Sequence, residues 1–222
     1  MDKITNTQKR QPKNDIKFTI QLSQEQKEAK SNILNHAFSF IEGHVGSGKT
    51  LVACQIALDL LFKRTVDKVV ITRPTVGTED NGFLPGSFEE KMEPWIVPIK
   101  DNMRKVYNFP QKLEKLYKDG EVELVSLSHF RGRTFENAVC IVDEFQNLSK
   151  QQLQMALGRL GKGSIMIFCG DARQIDLKHN NDSAIHEVAK IEKSKYVYRV
   201  RLTENHRHEA VDEVLNILYG YH

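Results

Sequence analysis

Gly43-His44-Val45-Gly46-Ser47-Gly48-Lys49-Thr50 sets three glycines, a lysine and a hydroxyl at the spacing G-x-x-x-x-G-K-[ST]. Glycines let a backbone curl until successive N–H groups converge, and phosphate oxygens are the ligand that suits such a nest. A helix beginning at Lys49 adds its positive end at the same point. On a loop of this kind the lysine reaches the β- and γ-phosphates of a nucleotide, and the Thr50 hydroxyl ligates Mg2+. Every position from Gly43 to Thr50, His44, Val45 and Ser47 included, is therefore a candidate for the cradle.

Ala138–Glu144 (AVCIVDE) is an apolar run closed by two carboxylates. At the end of a strand Asp143 can hold Mg2+ through water, while Glu144 can orient and deprotonate an attacking water. That pair suits hydrolysis, since a kinase would set an acceptor alcohol there. Ser164–Cys169 repeats the design and ends in Gly170-Asp171-Ala172-Arg173-Gln174. The Gln174 amide is a candidate to hydrogen-bond the γ-phosphate or the water, and so to register its loss. Lys49, Glu144 and Gln174 belong to the candidate catalytic set, which one arginine considered below completes.

Elements of alternating type must bring these three runs together. Strands are expected at Phe38–Glu42, Lys68–Thr72, Val122–Ser126, Ala138–Asp143, Ser164–Cys169 and Tyr196–Leu202, as short apolar or β-branched runs. Ser23, with Gln26 three residues on, reads as a capping box opening a helix. Leu51–Phe62 is apolar at helical spacing. A helical region broken by Pro94 and Pro98 is expected after a turn-rich loop at 77–87. Further helices are expected near 149–160, 182–192 and 207–219. Strands alternating with helices predict an α/β fold, a mainly parallel sheet with helices on both faces. An additional strand between the phosphate-loop run and the Asp-Glu run fits the RecA-like division of P-loop folds better than the Ras-like one.

The chain has 222 residues, 40% hydrophobic and 27% charged, enough for one core. Its apolar runs are far shorter than a membrane span, and its polar start lacks the apolar stretch of a signal peptide, so a cytoplasmic protein with no membrane partner is expected. Cys54, Cys140 and Cys169 lie apart in apolar stretches and read as small buried hydrophobes rather than ligands. Residues 1–17 hold five basic side chains against two acidic ones, which accounts for the whole net charge of +3. A basic flexible arm over 1–18 and one domain over 19–222 are expected; the arm is either a polyanion-attracting segment or a solvated tail.

GHVGSGKT, VDEFQN and GDARQIDL, in this order, resemble the PhoH family of P-loop ATPases. Arg73-Pro74, Gly82-Phe83-Leu84-Pro85-Gly86 and Arg131-Gly132-Arg133-Thr134 match further family motifs, so the resemblance extends over roughly residues 20–222. It implies ATP and Mg2+ as nucleotide and metal, a core like one helicase ATPase lobe, and single-stranded nucleic acid, RNA before DNA, as partner. Leu22–Ala29 resembles the adenine-reading motif of related helicases, which makes Gln26 either a base-reading amide or simply part of the capping box. Arg207-His208 is retained from the family's C-terminal motif although its approach, Thr203-Glu204-Asn205-His206, differs. Arg207 is the candidate arginine finger. Arg73 and Phe83 are candidates to meet nucleic acid. Arg131 and Arg133 either touch its phosphates, reach a neighbouring subunit's nucleotide, or stand in a solvated loop.

A helicase of this type uses two lobes and this chain has room for one, so a homo-oligomeric ring, a hexamer, is expected to supply the second wall. No carboxylate cluster outside the ATPase motifs suggests a nuclease. Compact single-domain members occur in bacteriophages, which makes a viral origin and a host cytoplasm part of the expectation. A nucleotide-gated RNA-binding module with little turnover and a nucleoside-type kinase remain the alternatives. The absence of N-K-x-D argues against guanine as the base.

Overall fold

The computed structural model describes residues 18–74, 88–206 and 208–219. The first seventeen residues of the expected basic arm, Phe83 with its loop, and Arg207 lie outside the described residues.

Six strands form one sheet: β1 (Phe38–Gly43), β2 (Lys68–Arg73), β3 (Val122–Ser126), β4 (Ala138–Asp143), β5 (Ile165–Gly170) and β6 (Val197–Leu202). Their order is β3-β2-β4-β5-β1-β6, and every pairing is parallel. The sheet sets β5 between β1 and β4, so the phosphate-loop strand and the Asp-Glu strand are not neighbours. That is the RecA-like arrangement of a P-loop α/β fold.

Side chains alternate across the pleat, and the two faces build two cores. Ile41, Val69, Ile71, Ile141 and Ile167 face α1 (Gln24–Ile33), α2 (Lys49–Phe62), α3 (Phe88–Val106) and α4 (Pro110–Lys118). Their alternates Phe40, Val70, Cys140, Val142 and Phe168 face α5 (Lys150–Leu157) and the one-turn α6 (Val188–Ile191). Phe40 stacks on Phe168 with ring centroids 4.6 Å apart. α7 (Glu209–Tyr219) follows β6. The central helix α2 is buried almost all round, from Val52 to Phe62, which explains its lack of a polar stripe. All three cysteines are buried and unpaired. No helix among the described residues is long and apolar enough to cross a membrane.

Two expectations are corrected. Helix α3 runs unbroken through Pro94 and Pro98. A proline forfeits one N–H and crowds one carbonyl, a cost that packing can offset. Pro98 stands on the exposed side, while Ile99, Met103 and Val106 are buried against α2 and the sheet. The helix expected over 182–192 is instead two 3₁₀ turns, Asn180–Asp182 and Ala184–Glu187, followed by α6. Buried Ser183, in extended backbone between the turns, accepts from the Ile185 N–H and donates to the Gln146 carbonyl, which interrupts any continuous helix.

Candidate nucleotide site

Parallel strands end at one edge of a sheet, and ligands of open α/β folds bind beyond those ends. Here that edge carries Gly43, Arg73, Asp143 and Gly170, the last residues of β1, β2, β4 and β5. Gly46 (φ 95°) and Gly48 (φ 82°) hold left-handed conformations that side chains resist. Gly48 also starts α2, and no side chain caps that end, so the helix presents its first N–H groups to an anion.

Lys49 Nζ donates to the carbonyls of Gly43 at 2.8 Å and His44 at 2.9 Å, bracing the loop. Burial pulls its pKa below the usual lysine value, against the opposing pull of Asp171 and other anionic groups. Thr50 Oγ1 donates to Asp143 Oδ1 at 2.7 Å, joining the ends of two non-adjacent strands. Burial, helped by the neighbouring Glu144, pushes the Asp143 carboxyl up to about 6 although Thr50, Arg73 and Lys49 oppose the rise. A hydroxyl and a buried carboxylate short of positive charge are the hard-oxygen pair that fits Mg2+, which takes one or two protein ligands and completes its shell with phosphate and water.

Glu144 lies in the left-handed region (φ 54°), an uncommon state for a non-glycine residue that turns the chain sharply after β4. Its Oε2 accepts from Gln146 Nε2 at 2.6 Å. The same amide donates to the Gln174 carbonyl at 2.9 Å and accepts from the Asp171 N–H at 3.2 Å. One residue on, Asn147 exchanges two bonds with Asp176, at 3.0 and 2.8 Å. Gln146 and Asn147 thus lock the VDEFQN turn to the GDARQID turn, a role absent from the candidate set. The signal was two amides following a strand end; their partners lie in another motif.

Arg73 stands with the carboxylates: its Nη2 is 3.5 Å from Glu144 Oε1 and its Nη1 4.0 Å from Asp143 Oδ2. Gln26 closes the capping box with Ser23, and its Nε2 donates to the Ser47 carbonyl at 3.2 Å and lies 3.0 Å from His206 Nε2. It is buried, so its amide is committed inside the protein. The stretch before Arg207 lies across the loop: His206 N–H donates to the Gly46 carbonyl at 3.1 Å, and Glu25 accepts from Thr203 and Glu204. Arg133 pairs with Glu123 at 2.8 Å and covers the Phe135 ring, whereas Arg131 is exposed.

The family model described as PhoH-like protein matches residues 19–219, a span that contains the whole constellation. The chain belongs to the PhoH-like protein family. A PhoH-like protein of Synechocystis is 40% identical over 156 residues, covering 69% of this chain and 47% of its own length. One from Mycobacterium leprae is 34% identical over 183 residues, covering 81% of this chain and 52% of its own. Protein PhoH of Escherichia coli is 40% identical over 141 residues, covering 62% and 40%. The chain thus spans about half the length of the curated relatives it matches, all three of them bacterial. Among solved structures, the large terminase of a thermophilic bacteriophage is similar in fold, with a TM-score of 0.57 at 13% identity, covering 90% of this chain and 51% of that one. Membership supplies the general expectation of an ATP-using P-loop protein; the roles of single PhoH-like side chains rest on the geometry above.

Proposed function

We propose that this protein is a Mg2+-dependent ATP hydrolase that couples turnover to single-stranded nucleic acid, RNA first. The observation that carries this reading is the Thr50–Asp143 hydrogen bond of 2.7 Å at the mouth of the phosphate loop, with Glu144 the next residue. Bound Mg2+ would be held by Thr50 and Asp143 and would supply positive charge to the β- and γ-phosphates. Lys49 exchanges its bonds to loop carbonyls for phosphate oxygens. Glu144 takes the proton of the attacking water. Gln174, tied to Glu144 through Gln146, reads the presence of the γ-phosphate. No acceptor hydroxyl is needed, so water rather than a nucleoside receives the phosphoryl group.

Single-stranded nucleic acid enters through the family, whose core resembles one helicase lobe. A shared site with a neighbouring subunit, in a hexameric ring, extends the same reading, and Arg207 is its candidate finger. Steady-state ATP hydrolysis with and without single-stranded RNA or DNA tests the core of it, with Lys49→Ala as control. Stimulation by polymer that the variant abolishes supports the coupled hydrolase. Lysine-dependent hydrolysis indifferent to both polymers removes the nucleic-acid part. Mixing Lys49→Ala with Arg207→Ala protein tests the ring, since a finger acting in trans restores part of the activity.

A further inference from the structure

The Gln26 amide is engaged at both ends. Its Oε1 accepts from the Ser23 N–H at 3.2 Å, closing the capping box of α1. Its Nε2 donates to the Ser47 carbonyl at 3.2 Å and faces His206 Nε2 at 3.0 Å. The two backbone partners fix which end of the amide is which, since turning it over would set N–H against N–H and oxygen against oxygen. Nε2 can only donate, so the His206 nitrogen that faces it accepts. An amide that reads adenine gives one N–H to N7 and takes one from N6. Both N–H groups of Gln26 already have partners, and the residue is 3% exposed.

Those partners belong to the phosphate loop and to the segment that crosses it. In a trans peptide the carbonyl and the N–H point in opposite directions. A Ser47 carbonyl held toward Gln26 therefore aims the Gly48 N–H the other way, at the uncapped start of α2. The Gly46 carbonyl is held outward as well, by the His206 N–H at 3.1 Å. The packing is close: a Cβ on Gly48 would lie 2.7 Å from Gln26 Nε2. Glu25, beside Gln26 on α1, accepts from the N–H groups of Thr203 at 2.8 Å and Glu204 at 3.2 Å. The first turn of α1 thus clasps the loop and the crossing segment together.

We propose that Gln26 is a positioning residue for the triphosphate: through Ser47 and His206 it holds the loop carbonyls outward and the Gly48 N–H toward the phosphates, and its amide does not select the base. The inference rests on the reading of this loop as the ATP site. It separates the grip on the phosphates from the choice of nucleobase. Losing Gln26 is then felt by every ligand with the same phosphate chain, whatever base it carries.

Calorimetry on the full chain in excess Mg2+ measures affinity for ATP, GTP and inorganic tripolyphosphate, which has the phosphate chain and no base. Gln26→Ala is expected to weaken all three by the same factor, about three- to thirtyfold, the net worth of one or two hydrogen bonds. A loss for ATP with GTP and tripolyphosphate unchanged is the mark of base reading and overturns the proposal, as does unchanged affinity for all three. Ser23→Ala separates the loop from the helix, because it removes the hydroxyl that accepts from the Gln26 N–H at 3.3 Å and leaves the Gln26 amide in place. That variant is expected to melt lower while its tripolyphosphate affinity holds. A loss equal to that of Gln26→Ala would show that the loop needs a stable α1 rather than the amide, and overturns the proposal. If Gln26→Ala does not fold, Gln26→Met fills the same space without a donor and is judged by the same comparison. A wild type that binds none of the three ligands removes the nucleotide reading itself, and this inference falls with it.

Discussion

Gln146 Nε2 donates to Glu144 Oε2 at 2.6 Å from a side chain with no solvent exposure. The rest of that amide belongs to the next strand's turn, through the Asp171 N–H and the Gln174 carbonyl. A carboxylate oriented by a group with no freedom of its own keeps one direction, and directional precision is what a base acting on a single water requires. The turns after β4 and β5 are therefore tied together by one side chain, which contacts the Glu144 carboxylate, the Asp171 N–H and the Gln174 carbonyl.

Gln146→Ala strips Glu144 of this partner and leaves the buried Asp171 N–H unpaired. Turnover is expected to fall by about 10- to 100-fold, the range of a lost orienting contact, with little change in the KM for ATP. The unpaired group costs ~1–3 kcal/mol, which lowers the Tm by several degrees. Steady-state kinetics and a melting curve check both. A KM that rises with kcat unchanged would assign Gln146 to nucleotide binding.

Gly170→Ala approaches the same amide without removing any polar group. A Cβ at Gly170 would lie 2.8 Å from Gln146 Oε1 and 2.7 Å from the Phe145 ring. Both are fixed in the core, so the amide must shift. The variant is expected to lose turnover in the manner of Gln146→Ala while its phosphate loop binds nucleotide normally. Wild-type turnover in a folded Gly170→Ala protein would show that the position of Gln146 is not critical.

Glu144→Gln keeps the shape of the side chain and its contact with Gln146 but removes the basic oxygen. Hydrolysis is expected to fall by about 10²- to 10⁴-fold while affinity for Mg·ATP persists. Retained hydrolysis in single-turnover experiments would place the base elsewhere.

What the sequence made legible is whatever is local to it. The phosphate loop and the Asp-Glu end each lie within eight consecutive residues, and the strands are short apolar runs between turn formers, so the ends found for β1–β6 fall within one residue of those expected. Long-range partners were hidden. Arg73 meets Glu144 only because β2 pairs with β4, and Gln146 meets Asp171 only because β4 pairs with β5. The order of the runs pointed to a RecA-like sheet, but composition and spacing carry no sign of which side chains of neighbouring strands would meet. Gln26 was legible in its capping role, whereas its second contact, with Ser47 and His206, depends on where the chain returns after β6. Helix α3 defied its prolines because Ile99, Met103 and Val106 gain more from burial than two missing N–H groups cost.

Asp143 links function to stability with a definite sign. Its carboxyl is pushed up to about 6 in the metal-free fold by burial and by Glu144. An unfolded aspartate titrates near 3.9, so the folded chain holds this proton more tightly. The stabilisation is fully present below about pH 4 and is lost as pH rises through 6. Above that, the wild type carries a buried charge at a cost on the order of 3 kcal/mol. Asp143→Asn keeps an acceptor for the Thr50 hydroxyl and does not titrate. Without metal, in EDTA at pH 7.5, it is expected to melt several degrees above wild type, and the gap should close as the buffer approaches pH 4. Saturating Mg·ATP should narrow or reverse the gap, because binding raises the Tm of wild type more than that of a variant lacking one metal ligand. Thermal melts over this pH range decide the matter, and an Asp143→Asn protein less stable than wild type at pH 7.5 without metal would show that Asp143 is held by its partners rather than burdened by its burial.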